Sequence, residues 1–130
     1  MAPQSVYAEA RKAQAVHRRI RSEEAKCDLG VAAEHDWSMR HWLKFYRWCL
    51  VQHLRGEIFF TEFSLESFAI VGHRLAAPHE LLEPILDKIR DGAENLNIIN
   101  WVIDCTLPWD QIYPILLAID INSRKLPHPE

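Results

Sequence analysis

Apolar and polar positions fall at helical spacing along most of the chain. From Ser5 to Cys27 the sequence is rich in Ala, Arg, Lys and Glu, with neither Gly nor Pro before Gly30, which favours a helix on propensity alone. Ser5 is suited to cap its first turn, with Pro3 outside, and Gly30 reads as its stop. Steps of four and three from Val6 give Val6, Ala10, Ala13, His17, Ile20, Glu24 and Cys27. So thin a seam buries little area, and this basic helix (residues 1–30) is expected to be a peripheral arm or half of an interface.

The next pattern is denser. Asp36 or Ser38 is expected to cap a helix that runs to about Leu54 and ends at Gly56. Trp42, Tyr46, Cys49, Leu50 and His53 share one of its faces, which Phe45 and Trp48 widen. Aromatic side chains bury about 150–250 Å² each, so this helix is expected at the centre of the core. The strand-like run Glu57-Ile58-Phe59-Phe60-Thr61 has no second strand to pair with, so an extended connector or a helical turn is expected there. Ser64 then caps a short helix through Phe68, Ile70, Val71 and Leu75.

Pro78 opens a helix where its missing N–H costs nothing, with Leu81, Leu82, Ile85, Leu86 and Ile89 inward, Pro84 inside and Gly92 as its stop. Residues 93–105 predict another helix with Leu96, Ile99, Val102 and Ile103 inward. A last helix runs from near Pro108 to about Ile121 with Pro114 in its first turns. The polar tail from Asn122 to Glu130 is expected to fray.

Residues 78–89 (PHELLEPILDKI) and 108–119 (PWDQIYPILLAI) share Pro78/Pro108, Pro84/Pro114, Ile85/Ile115, Leu86/Leu116 and Ile89/Ile119 at an offset of 30. Each copy follows an apolar segment, which suggests a duplicated helix pair; chance in Pro/Leu/Ile-rich segments is the alternative. The fold expected is all-α, a compact single-domain bundle of five or six helices.

Composition narrows the class. Over 130 residues, 48% hydrophobic and 25% charged is an average globular balance, which excludes disordered and collagen-like chains. No apolar run approaches the ~18 residues of a membrane span, so no membrane partner is expected. Met1 to Ser5 shows no start of a secretory signal. The three cysteines, Cys27, Cys49 and Cys105, form no CxxC, and are expected to be reduced core thiols of a cytoplasmic protein.

Charge is segregated. Residues 1–56 carry +4 and residues 57–130 carry −7. The basic candidates are Arg11, Arg18 and Arg21 on the first helix and Arg40, Lys44 and Arg47 on the second. The acidic candidates, Glu80, Glu83, Asp87 and Asp91, form a stripe at steps of three, four and four. The stripe is either a solvated face or a docking surface for a basic partner, and it could also meet the basic stripe within the fold or in a dimer.

Cys49 and His53 lie four apart, close enough to share a metal or to pair as nucleophile and base. A zinc site needs about four converging ligands, and a thiol nucleophile needs an oxyanion site. The sequence supplies neither pattern, so no metal, cofactor or catalytic residue is assigned, and a packed core pair is the simpler reading. The reading that results is a small non-enzymatic interaction module (adaptor, inhibitor, immunity or regulatory subunit) acting through charged helix faces on another protein or on itself. Two alternatives stand beside it: a nucleic-acid-associated regulator using the basic N-terminal surface, and a metal or thiol site at Cys49/His53.

Overall fold

A carboxylate from the middle of the chain starts the first helix. In the computed structural model, which describes residues 2–73 and 78–129, α1 spans Val6–Ala25 and its N-terminus meets Glu62. Ser5 Oγ caps the Ala8 N–H, as its position predicts, and donates its own proton to Glu62 Oε2 at 2.6 Å. The Val6 N–H donates to Glu62 Oε1 at 2.8 Å. A helix N-terminus carries unpaired N–H groups and a partial positive charge, so an anion is well placed there. Burial alone would raise the pKa of Glu62, but the hydrogen bonds from Ser5 and from the Val6 and Tyr7 amides hold it below the ordinary carboxylate value.

The second helix starts earlier than its capping residues suggest. α2 spans Val31–Arg55, with Gly30 at its N-cap, while α1 ends at Lys26 in the left-handed region. Gly30 therefore opens α2 rather than closing α1. Asp36 and Ser38, which read as caps, tie the two antiparallel helices together: His17 Nε2 lies 2.9 Å from Asp36 Oδ2, and Gln14 Nε2 donates to buried Ser38 Oγ at 2.9 Å. Val6 and Ala10 are fully buried against α2, but the seam leaves the core after His17, and Ile20 is 46% exposed.

Trp42, Tyr46, Cys49, Leu50 and Leu54 of α2 are buried at the centre of the core, as the aromatic density predicts. Trp48 is exposed, so it does not widen that face. Gly56 ends α2 at φ 80°, and a Cβ there would lie 2.6 Å from Ala69 Cβ. Both the backbone and the close approach require glycine.

The run 57–61 begins with bends at 57 and 58, and the short stretch that follows does find a partner. The Gln4 N–H donates to Phe59 O at 2.8 Å, and the Thr61 N–H donates to Gln4 O at 2.9 Å, a single parallel bridge to the residues before α1. A 3-10 turn, Leu65–Ser67, is capped by Ser64, and a break at Ala69 (φ 59°) separates it from α3, Ile70–His73. The helix expected from Ser64 is thus interrupted. Leu75, expected in that helix, lies outside the described residues.

α4 spans His79–Arg90, α5 Asn95–Asp104 and α6 Trp109–Ile119. The protein is all-α: five helices of ten or more residues and the short α3 form a bundle, with no strand among the described residues. Ile85, Leu86 and Ile89 of α4 and their counterparts Ile115, Leu116 and Ile119 of α6 are all buried, and Pro78 and Pro108 each precede the first helical residue. The likeness at an offset of 30 stops there. The segment before α4 is a turn, a break and a four-residue helix, whereas the one before α6 is the ten-residue α5.

In α5 it is Ile98 and Val102 that are buried; Leu96 and Ile103, expected inward, are each 67% exposed. The described part of the tail is tied to the bundle rather than frayed. Leu126 O accepts from Trp42 Nε1 at 2.9 Å, Pro127 O accepts from Tyr7 Oη at 2.7 Å, and Lys125 Nζ lies 2.9 Å from Glu94 Oε2.

Candidate functional site

The charged candidates are largely engaged with one another. Arg18 holds Asp28 through Nε (3.0 Å) and Nη2 (2.7 Å) and reaches Glu34 at 3.2 Å. The Arg18 guanidinium, helped by the Gly30 N–H, draws the pKa of Asp28 down to about 2. Arg40 Nε donates to Asp36 at 2.7 Å, and Arg21 lies 3.5 Å from Glu24. Arg11 and Lys44 are exposed and have no carboxylate partner among the described residues.

Arg47 departs from the expected basic face altogether. It is fully buried, and its Nη1 donates to Ile89 O at 3.1 Å and to Ala93 O at 2.7 Å. Its Nε donates to Tyr46 Oη at 3.2 Å, and Nη2 lies 3.8 Å from Glu94 Oε1. Ile89 lies in the last turn of α4 and Ala93 just beyond it; Ile89 O also accepts from the Gly92 N–H at 3.0 Å, so Arg47 adds a second donor there. Arg47 therefore pins α4 to α2 and offers no surface charge.

The acidic stripe is also partly consumed. Arg55 grips Glu83 at two points, Nη1 to Oε1 at 3.1 Å and Nη2 to Oε2 at 2.6 Å, and this lowers the Glu83 pKa. Asp87 and Asp91 flank Arg90 at 3.6 and 3.8 Å, while Glu80 is exposed. Of the acidic stripe, Glu83 meets Arg55 of α2 within the fold; Arg40, Lys44 and Arg47 do not reach it.

His53 is a structural histidine. It is fully buried; its Nδ1 accepts from the Phe60 N–H at 3.1 Å, so the proton sits on Nε2, which faces Ser64 O at 2.9 Å and Ser67 Oγ at 3.1 Å. Burial lowers its pKa, and nearby Arg124 lowers it further against the opposing Ser64 carbonyl. Neither ring nitrogen is left for a metal or a substrate proton. Burial, with the carboxylates of Glu9 and Glu62, pushes the Cys49 thiol up to about 12. A thiol so protonated is a poor nucleophile. Cys27 and Cys105, expected in the core, are exposed. Among the described residues no group of three or more His, Cys, Asp or Glu is arranged to hold a metal. Nor is any helix among them long and apolar enough to cross a membrane.

An exposed apolar surface with paired aromatic rings lies on α5 and α6. Leu96, Ile103 and Leu117 are each 60% exposed or more, and Trp109 and Tyr113 are 43% and 48% exposed. Trp109 and Tyr113 lie one helical turn apart, their ring centroids 5.7 Å from each other. Two open cavities lie in this surface and share Ile99 and Trp109 as walls. One, of about 300 Å³, is lined also by Asn95, Tyr113, Leu117 and Asp120. The other, of about 390 Å³, is lined by Val102, Ile103 and Leu107. Sequence periodicity missed this face because α5 carries two apolar stripes at helical spacing, Leu96/Ile99/Ile103 and Ile98/Val102, and spacing alone does not say which one turns inward.

Comparison with known proteins finds no family model, no curated protein and no solved structure that matches this chain.

Proposed function

We propose that the protein is a non-enzymatic protein–protein interaction module, an adaptor, inhibitor, immunity protein or regulatory subunit, that binds its partner through the outer face of α5 and α6. The observation that carries this reading is the contiguous exposure of Ile103, Trp109, Tyr113 and Leu117 around two cavities. Scattered apolar side chains are ordinary on a protein surface, but a contiguous patch with aromatic anchors marks a binding site. The acidic stripe of α4 serves less well, because its central Glu83 is held by Arg55. The engaged nitrogens of His53 and the protonated Cys49 thiol support a non-catalytic role. Three free cysteines, two of them exposed, favour a reducing compartment such as the cytoplasm.

A photo-crosslinking residue at position 117 tests the reading in cells that make the protein. A discrete protein adduct is expected from position 117 and none from position 87 on α4. Adducts from position 44 alone, above all to nucleic acid, would contradict it.

A further inference from the structure

We propose that the partner brings an amphipathic segment to this face and inserts a Lys or Arg side chain into the cavity between α5 and α6, an inference that rests on the α5–α6 face being the binding surface. The cavity of about 300 Å³ combines an aromatic wall with oxygen acceptors. Trp109 and Tyr113 supply ring faces, which attract a cation within about 6 Å of their centres. Asp120 lines the same cavity, and its carboxylate has no hydrogen-bond or ion-pair partner among the described residues. The backbone of Asp120 is fixed on both sides: its N–H donates to Leu116 O at 2.9 Å, and its carbonyl accepts from the Ser123 N–H at 3.1 Å.

Asn95 adds an unsatisfied acceptor behind the same wall, one closed off from solvent in this structure. It lines this cavity, and its Oδ1 is buried with no hydrogen-bond partner among the described residues. The helix-capping role that a first-turn Asn could take belongs to Asn97, whose Oδ1 accepts from the Glu94 N–H at 2.8 Å. A buried acceptor left unsatisfied is costly and calls for a donor. The cations nearest in sequence do not supply one. Arg124 donates to Ile119 O and Ser64 Oγ, and Lys125 is paired with Glu94.

The surrounding charge selects the same partner. From Asp91 to Ser123 the chain carries Asp91, Glu94, Asp104, Asp110 and Asp120 and no Lys, Arg or His. Asp91 and Glu94 are paired with Arg90 and Lys125, so it is Asp104, Asp110 and Asp120 that attract a basic segment and repel an acidic one or a phosphate backbone. It also disfavours a second copy in a two-fold contact, where each acidic face would meet its own image. A copy could instead present the groove between α1 and α2, where Val16 and Trp48 are exposed beside Lys12 and Lys44, but that contact would repeat head to tail into an open chain or ring.

The test uses two labelled amphipathic helical peptides with the same leucine stripe, one with lysines and one with glutamates on the polar face, titrated against the full chain at physiological salt. The Leu/Lys peptide is expected to bind and the Leu/Glu peptide to fail. Asp120→Asn and Trp109→Ala should each weaken the Leu/Lys peptide, Asp120→Asn by roughly tenfold, a change of about 1.4 kcal/mol, while Glu80→Gln leaves it unchanged. Equal affinity for both peptides, binding of neither, or indifference to Asp120→Asn overturns the inference. If adducts from position 117 persist in that case, the docking face stands and only the partner's chemistry is wrong; if they are missing as well, both readings fall. Concentration-dependent oligomers that dissolve on Lys12→Glu and Lys44→Glu would make the occupant a second copy, and that too overturns it.

Discussion

Arg47 and Ala93 are joined by a hydrogen bond of 2.7 Å from the buried guanidinium of α2 to a carbonyl just beyond α4. A side chain whose helical position reads as surface charge is thus a bolt in the core. Truncating it removes the guanidinium donor from the carbonyls of Ile89 and Ala93 and opens space beside Tyr46. Arg47→Met is expected to destabilise the fold by about 2–4 kcal/mol. Urea unfolding checks this, and a loss under about 0.5 kcal/mol would mean that Arg47 is a surface residue after all.

His53 sets a pH dependence with a definite sign. Its folded pKa lies below the ordinary 6.5, so the unfolded chain binds the proton more readily. Its contribution to stability is complete above the unfolded value, and is lost progressively as pH falls from there towards the folded value. Nitrogen chemical shifts should report a neutral ring protonated on Nε2 at pH 7, titrating below the ordinary value. A ring that titrates at or above the ordinary value would contradict the burial and the Phe60 contact.

The three thiols should differ in reactivity. Cys27 and Cys105 are exposed and Cys49 is buried with its pKa near 12. A thiol reagent at neutral pH should therefore modify Cys27 and Cys105 in the native protein and reach Cys49 only in denaturant. Rapid native labelling of Cys49 would show that the α1–α2 seam opens.

The tail closes the domain over Trp42 and Tyr7. Ending the chain after Lys125 removes the acceptors Leu126 O and Pro127 O and uncovers the stack of Tyr7 on Trp42, whose centroids are 5.3 Å apart. The expected cost is about 1–3 kcal/mol. An unchanged denaturation midpoint would show that these residues fray.

Where a local signal decides an element, the sequence is a good guide. Ser5 caps α1, Gly56 ends α2, and Pro78 and Pro108 precede α4 and α6, because each of these depends on its own side chain or backbone. The start of α2 was not legible, since Asp36 and Ser38 have the chemistry of caps and only their contacts with His17 and Gln14 give them another use. Arg47 and Glu83 misled for the same reason: a charge at helical spacing does not reveal whether a partner from another element will consume it. In α5, both Leu96/Ile99/Ile103 and Ile98/Val102 are helical stripes, and tertiary packing chose the second. The proposed docking face is the stripe left over. Its signals in the sequence were an apolar α6 and a run from Asp91 to Ser123 without a basic residue.

The claim that this leftover stripe is a docking surface is tested most directly by a double substitution, Ile103→Ser with Leu117→Ser, compared with the wild type for recovery of the protein cross-linked from position 113. Both side chains are at least 60% exposed, so stability should stay within about 0.5 kcal/mol of the wild type. Recovery of the partner should fall at least roughly tenfold, the loss of about 1.4 kcal/mol expected when anchors leave an interface. Undiminished recovery from an equally stable variant would contradict the account.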